Sequence, residues 1–249
     1  MISQNLKSQL LKTKAPMVTN WLTKNIARTL VRLCPLCRMP LADDHAKLCR
    51  FCLQRLLQTS RCPCCGLQST DDTSLCGQCL QQPPLWQRLY CVGDYQPPLS
   101  GLVHQLKYQR QPWLAGLLAE LLLNRVTHKP DIILSVPMHW QRYWRRGYNQ
   151  SDLLARQLAR RLAVPYQPGL VKRTIATKAQ QRLDRQQRLH NLTGAFALAP
   201  ISTTVICGAH LALVDDVVTT GSTMTQMCQL LLAAGAESID IYCICRTPD

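Results

Sequence analysis

The segment Leu211-Ala-Leu-Val-Asp215-Asp216-Val-Val-Thr219-Thr220-Gly221-Ser222-Thr223 limits the possible folds of this chain more than any other. Four apolar residues end in two acids, a turn rich in threonine and glycine follows, and an apolar-periodic run continues from Met224 to Ala234. This order predicts a buried strand, a tight loop and a helix. The acids fall at the strand's carboxyl end, where open α/β sheets bind ligands. The hydroxyls and Gly221 fall at the helix start, where free backbone N–H groups and the helix dipole favour a phosphate. Two carboxylates beside such a cradle suit a sugar phosphate, because carboxylates accept from ribose hydroxyls while the turn holds the phosphate. An ordinary helix cap would explain Thr219 or Ser222, but not two adjacent acids.

The rest of the second half fits around this unit. Tyr90 to Tyr95, Asp131 to Pro137 (the first core strand), Gly169 to Arg173, Ala195 to Ala199 and Ile239 to Cys245 read as strands. Leu99 to Tyr108 and Trp113 to Val126 read as helices separated by Pro112, and Asn149-Gln-Ser-Asp152 caps a helix to Leu162. Strands alternating with helices predict an α/β domain over residues 86–249, a parallel sheet flanked by helices. Thr174 to Gly194 is long, polar and basic, a length found in functional lids and in disordered segments.

Ahead of Pro83-Pro84 the cysteines come in pairs. Cys34 and Cys37 are matched by Cys49 and Cys52, and Cys62 and Cys65 by Cys76 and Cys79. A C-x-x-C turn presents two thiolates to one ion, so four pairs supply two tetrahedral zinc sites. Cys64 is a further thiol within the third pair, able to replace a neighbour as ligand. Residues 34–79 lack the apolar residues for a core of their own, so metal must hold them together. The expectation is a small cysteine-rich double zinc-ribbon domain over 34–82, with structural zinc, since eight thiolates leave no open coordination position. Residues 1–33 read as a disordered tail followed by a short basic amphipathic helix from Met17 to Leu33. Its apolar face would dock on the protein itself; a membrane surface or a partner is the other use of such a face. No apolar run is long enough to span a bilayer, and the N-terminus has no compact apolar core or clear cleavage site. These features point to a cytoplasmic protein that is not integral to a membrane.

Charge narrows the partners. Between residues 101 and 193, sixteen Lys and Arg stand against four Asp and Glu, which places +12 of the chain's +15 in that stretch. Anions follow as partners: diphosphate, nucleic acid, or both. In Met138-His-Trp140-Gln-Arg142-Tyr143-Trp144-Arg145-Arg146-Gly147-Tyr148-Asn-Gln150, three arginines follow a strand's carboxyl end and suit phosphoryl oxygens. The interleaved rings suit either stacking on single-stranded nucleic acid or packing in the core. Gln180, Arg182, Arg185 and Arg188 lie in the long basic segment, read as a lid over a diphosphate or as a charged surface hairpin.

The 211–223 segment resembles the phosphoribosyl-diphosphate motif of type I phosphoribosyltransferases. That resemblance implies catalytic positions for Asp215 and Asp216, holding the ribose hydroxyls. It implies that Thr219, Thr220, Gly221, Ser222 and Thr223 wrap the phosphate, and that Arg142, Arg145 and Arg146 hold the diphosphate, with Mg2+ and with Gln180 and Arg188 closing over it. Hypoxanthine- and guanine-salvage enzymes carry an acid at the position of Thr219, so that subfamily is disfavoured. The wider set of paired cysteines, Leu106-Lys-Tyr108, Ser135-Val-Pro-Met-His139, Arg146-Gly-Tyr-Asn-Gln150, Gln180 with Arg188 and Asn191, Gly194-Ala-Phe196, the 211–223 motif and Cys245-Arg-Thr247 resembles the ComF family. It implies a zinc-ribbon domain fused to a phosphoribosyltransferase domain and a role in handling imported DNA, that is, DNA uptake or utilisation in natural competence. Taken with the phosphate turn and the basic, ring-bearing segment, the expected partners are phosphoribosyl diphosphate, single-stranded DNA and DNA-uptake or recombination proteins. A working transferase acting on an unknown acceptor is the alternative.

Overall fold

The computed structural model describes residues 33–42, 47–57, 59–174, 195–200 and 202–247. The helix expected from Met17 lies outside these residues except for Leu33, which instead forms an antiparallel bridge with Pro40. The chain divides into two compact units, one ending at Cys52 and one beginning at Leu53.

The first unit holds the knuckle from Cys34 to Arg38, closed by Cys34 N–H on the Met39 carbonyl at 2.8 Å and Arg38 N–H on the Cys34 carbonyl at 2.9 Å. Helix α1 (Arg50–Leu57) begins here and carries Cys52. The second unit starts with another such knuckle, Cys62 to Gly66, and the short helix α2 (Gly77–Gln81) with Cys79. So the second set of cysteines, read as half of a module over 34–82, packs within the same compact unit as the α/β sheet.

That sheet has four parallel strands in the order β1 (Arg88–Asp94), β6 (Ser238–Arg246), β5 (His210–Val218), β2 (Ile132–Ser135). All nine residues of β6 are buried, as expected of a central strand covered on both faces. Helices α3 (Leu99–Tyr108), α4 (Leu114–Leu123) and α6 (Gln150–Leu162) pack on the sheet, α3 and α4 against β6 and α6 against β5 and β2. The short helix α7 (Ser202–Ile206) precedes β5, and alternate residues of β5, Leu211 and Leu213, join Met224, Met227, Cys228 and Leu231 of α8 (Ser222–Ala233) in one apolar cluster. The period of two along the strand puts those side chains on a single face. The expected α/β class, a parallel sheet flanked by helices behind a cysteine-rich region, is therefore present.

Three local expectations need correction. The short strands β3 (Val171–Arg173) and β4 (Phe196–Leu198) do not join the parallel sheet but pair with each other, antiparallel. The outer edge of β2 is already used: Ile133 donates to the Pro165 carbonyl and accepts from Gln167, each at 3.0 Å. The segment after β2, to which no helix was assigned from sequence, is the helix α5 (Trp140–Arg146). His139 caps its start by accepting from Gln141 N–H at 3.3 Å, and Gly147 ends it at φ +85, a left-handed conformation that favours glycine. Finally, β5 does not stop at the two acids; it runs on to Val218.

A cleft at the carboxyl ends of the strands

The extra length of β5 shapes the site. Pairing of β5 with β2 ends at Ser135 and Val214, whereas pairing with β6 continues to Val218 and Arg246. Asp215 and Asp216 therefore reach past the end of β2, at the place where the sheet opens. A cleft of about 560 Å³ forms there, lined by both acids, by Thr219, Gly221, Ser222 and Thr223, and by Arg142, Arg145 and Arg146 of α5. Thr220 is half-buried and does not line the cleft; its hydroxyl donates to Ser222 Oγ at 3.1 Å. The sequence-read residues thus meet in one cleft, apart from Thr220 and from Gln180 and Arg188, which lie outside the described residues.

Gly221 has φ +75 and stands at the start of α8, whose first turn is fixed by Thr225 N–H on the Gly221 carbonyl at 2.8 Å. A Cβ there would come within 3.1 Å of the Trp86 ring, so the turn needs glycine for conformation and for space.

The cleft also contains residues whose roles the sequence did not reveal. Lys107 Nζ of α3 lies 2.9 Å from Asp216 Oδ1. Burial works against its charge, but Asp216 and Asp215 outweigh it and raise the Lys107 pKa. Ser151 of α6 donates to Asp215 Oδ1 at 2.8 Å, and Asp216 N–H donates to the same oxygen at 2.8 Å. Burial, then the neighbouring Asp216, push Asp215 up to about 7. Two adjacent carboxyls share a confined space with one lysine, so a proton is retained close to neutrality. Arg173 of β3 also lines the cleft. Burial and the positive charges of Arg146 and Arg145 lower the pKa of Arg142. Arg146 donates to Tyr108 Oη at 3.2 Å, with its guanidinium 4.8 Å from that ring's centre. The cleft therefore gathers four guanidinium groups and two carboxyls in its lining. Lys107 belongs to the segment Leu106-Lys-Tyr108, but nothing local in that segment points to Asp216.

Helix α5 has no buried residue: Trp140, Tyr143 and Trp144 are 62%, 50% and 81% exposed. The core-packing alternative for these three rings is thereby removed.

Each set of four cysteines brings its sulfurs within 4.8 Å of one another: Cys34, Cys37, Cys49, Cys52 in one, and Cys62, Cys65, Cys76, Cys79 in the other. A tetrahedral zinc with Zn–S near 2.3 Å requires S···S of about 3.8 Å. Cys37 to Cys49 and Cys65 to Cys76 are each 3.6 Å apart. Burial opposes ionisation of Cys34 and Cys62, but backbone N–H groups outweigh it and bring the thiols down to about 6 and about 7, whereas burial and the neighbouring cysteines raise Cys52, Cys65 and Cys79, so it is the convergence of the four sulfurs that suits a cation. The donor sets therefore fit a thiolate-bound metal.

The phosphoribosyl transferase domain family matches residues 148–249. The DNA utilization protein YhgH of Escherichia coli is 47% identical over 230 residues, covering 88% of this chain and 99% of that one. Competence protein F of Haemophilus influenzae is 38% identical over 221 residues, covering 86% and 96%. Among solved structures, the allosteric regulatory enzyme of purine biosynthesis aligns with a TM-score of 0.40 at 16% identity, over 57% of this chain and 30% of that one. No helix among the described residues is long and apolar enough to cross a membrane.

Proposed function

The chain belongs to the ComF family of competence and DNA-utilisation proteins, and from that premise we propose that its cleft binds phosphoribosyl diphosphate with Mg2+ in the service of DNA uptake or utilisation. The observation that carries this reading is the meeting of two acids, a glycine turn at a helix start and three arginines in one cleft at the carboxyl end of a parallel sheet. Ribose hydroxyls would donate to Asp215 and Asp216, displacing the Lys107 ammonium from Asp216. The phosphate would sit on the turn from Thr219 to Thr223, and the diphosphate against Arg142, Arg145 and Arg146. Mg2+ bound with the diphosphate would offset negative charge beside Asp215 and Asp216. Each group of four cysteines would hold one structural zinc, about two per chain by elemental analysis.

Calorimetry tests the cleft. Replacing Asp215 with Asn and Asp216 with Ala should abolish binding of phosphoribosyl diphosphate; equal affinity would rule the site out. Ionisation makes both Asp215 oxygens strong acceptors for hydroxyls, so affinity should rise as pH passes upward through about 7. Release of diphosphate on adding candidate bases would mark a working transferase.

The exposed rings of α5 favour a second ligand on the same surface. Tyr143 and Trp144 stand exposed between Arg142 and Arg145, with exposed Trp140 two residues ahead of Arg142, an arrangement suited to stacking and backbone attraction on single-stranded DNA. Binding should weaken linearly in log affinity against log salt, and replacing Arg142, Arg145 and Arg146 with Ala should reduce both affinity and slope. Salt-independent binding of a labelled oligonucleotide would count against this surface.

A further inference from the structure

We propose that the second group of four cysteines is the rear support of the phosphate turn, and that Arg246 and Trp86 are the positioning residues that connect them. The inference rests on the cleft reading above for the identity of the ligand, but not for the contacts themselves.

The connection has two arms. Arg246, at the end of β6, is only 6% exposed. Its Nε donates to the Cys65 carbonyl at 3.0 Å, and its Nη1 donates to the Thr219 carbonyl and, at 2.5 Å, to the Thr247 carbonyl. The hydrogen bonds described for this buried cation go to carbonyl oxygens, on the metal knuckle at one end and on the turn at the other. The second arm is Trp86, 8% exposed. Its indole N–H donates to the Cys64 carbonyl at 2.7 Å, while its ring closes on Gly221. Both arms begin on consecutive carbonyls of the knuckle and end within the five-residue turn, at its first and third residues.

The knuckle's own shape depends on its cysteines. Cys62 N–H donates to the Leu67 carbonyl and Gly66 N–H to the Cys62 carbonyl, and the thiols of Cys62 and Cys65 converge with those of Cys76 and Cys79. An ion shared by the four sulfurs would fix the orientation of the Cys64 and Cys65 peptides. Four thiols without an ion have no comparable constraint. A phosphate cradle works only while its N–H groups hold one geometry. The Thr219 carbonyl, held from behind by a guanidinium, keeps the turn from rotating away. Removing the metal from this group should therefore loosen a turn that it never touches.

The test uses the full chain with three substitutions: Trp86→Phe, which keeps a ring but removes the N–H; Arg246→Gln; and Cys76→Ser, which removes one metal ligand. The readouts are zinc content, hydrogen exchange of the amides from 219 to 223, and calorimetry with phosphoribosyl diphosphate and Mg2+. Trp86→Phe and Arg246→Gln should keep the wild-type zinc content, speed exchange at the turn about tenfold and weaken binding about tenfold, with exchange in the interior of β6 unchanged. Cys76→Ser should lose one zinc and show the same turn exchange. Unchanged exchange at 219–223 in Trp86→Phe and in Cys76→Ser would overturn the proposal, whatever Arg246→Gln does to folding. If wild type fails to bind phosphoribosyl diphosphate, the cleft reading fails, while turn exchange still decides the positioning role.

Discussion

Cys34–Arg38 and Cys62–Gly66 have one backbone design and two different surroundings. Both begin Cys-Pro, both close with the same pair of hydrogen bonds at 2.8 and 2.9 Å, and both end on a residue with positive φ, +62 at Arg38 and +72 at Gly66. Both are flanked by one isolated bridge, Leu33 to Pro40 and Arg61 to Gln68. They differ where side chains meet neighbours. Arg38 is exposed, so a left-handed non-glycine residue is tolerated there at modest strain. Gly66 is buried against β1, and a Cβ would lie 2.4 Å from a Leu89 methyl carbon. Leu33 is 48% exposed, whereas its counterpart Arg61 is 8% exposed and bonds Asp94 at 2.8 Å and the Gly66 carbonyl at 2.8 Å. The two knuckles thus share their cysteine spacing and backbone, and the residues around each decide what it is built into.

Exchanging residues between the knuckles is the strongest way to break this comparison. Gly66→Arg should give the largest effect, a loss on the order of 3 kcal/mol or failure to fold, because the left-handed strain combines with a clash in the core. The reciprocal Arg38→Gly should lie within about 1 kcal/mol of wild type, with relief of strain offset by greater freedom of the unfolded chain. Denaturant unfolding of both variants decides it; equal losses would mean the two positions are equivalent after all.

Arg61→Leu places the first knuckle's residue in the second. It leaves the Asp94 carboxylate, 10% exposed, without its cation, and removes a donor from the Gly66 carbonyl. Losing one partner of a buried ion pair costs about 3 kcal/mol. A melting temperature matching wild type would show that Gln68, which also donates to Asp94, is sufficient.

The same contrast explains what was legible in the sequence. The knuckles and the 211–223 turn are contiguous, and their chemistry is set by spacing within a few residues, so the two groups of four cysteines, the paired acids and the turn could be read directly. Helix α3 was read with its observed bounds from periodicity alone. Lys107, Ser151 and Arg173 could not be assigned roles, because their meeting with Asp215 and Asp216 depends on register and packing between distant elements. Arg246 was visible in Cys245-Arg-Thr247, but its bonds go to backbone carbonyls, which leave no mark in a side-chain pattern. The end of β5 was misplaced because the acids look like the end of a strand; only pairing to β6 shows that it continues. Helix α5 was missed because its cap is a histidine, outside the usual capping residues.

The smallest expected effect sharpens the comparison at the third residue of each knuckle, Leu36 in one and Cys64 in the other. Leucine cannot bind zinc, so if the knuckles share one design, Cys64 is no ligand. The sulfur geometry agrees, grouping Cys65 and not Cys64 with Cys62, Cys76 and Cys79. Burial raises the Cys64 thiol, which keeps it neutral, and its bond to Trp86 uses the backbone carbonyl. Cys64→Ala should therefore retain the wild-type zinc content and the Trp86 contact, losing about 1 kcal/mol for the buried sulfur alone. Cys65→Ser should lose one zinc. Elemental analysis of both separates the cases: loss of zinc in Cys64→Ala would make Cys64 the ligand, and the two knuckles would no longer be versions of one motif.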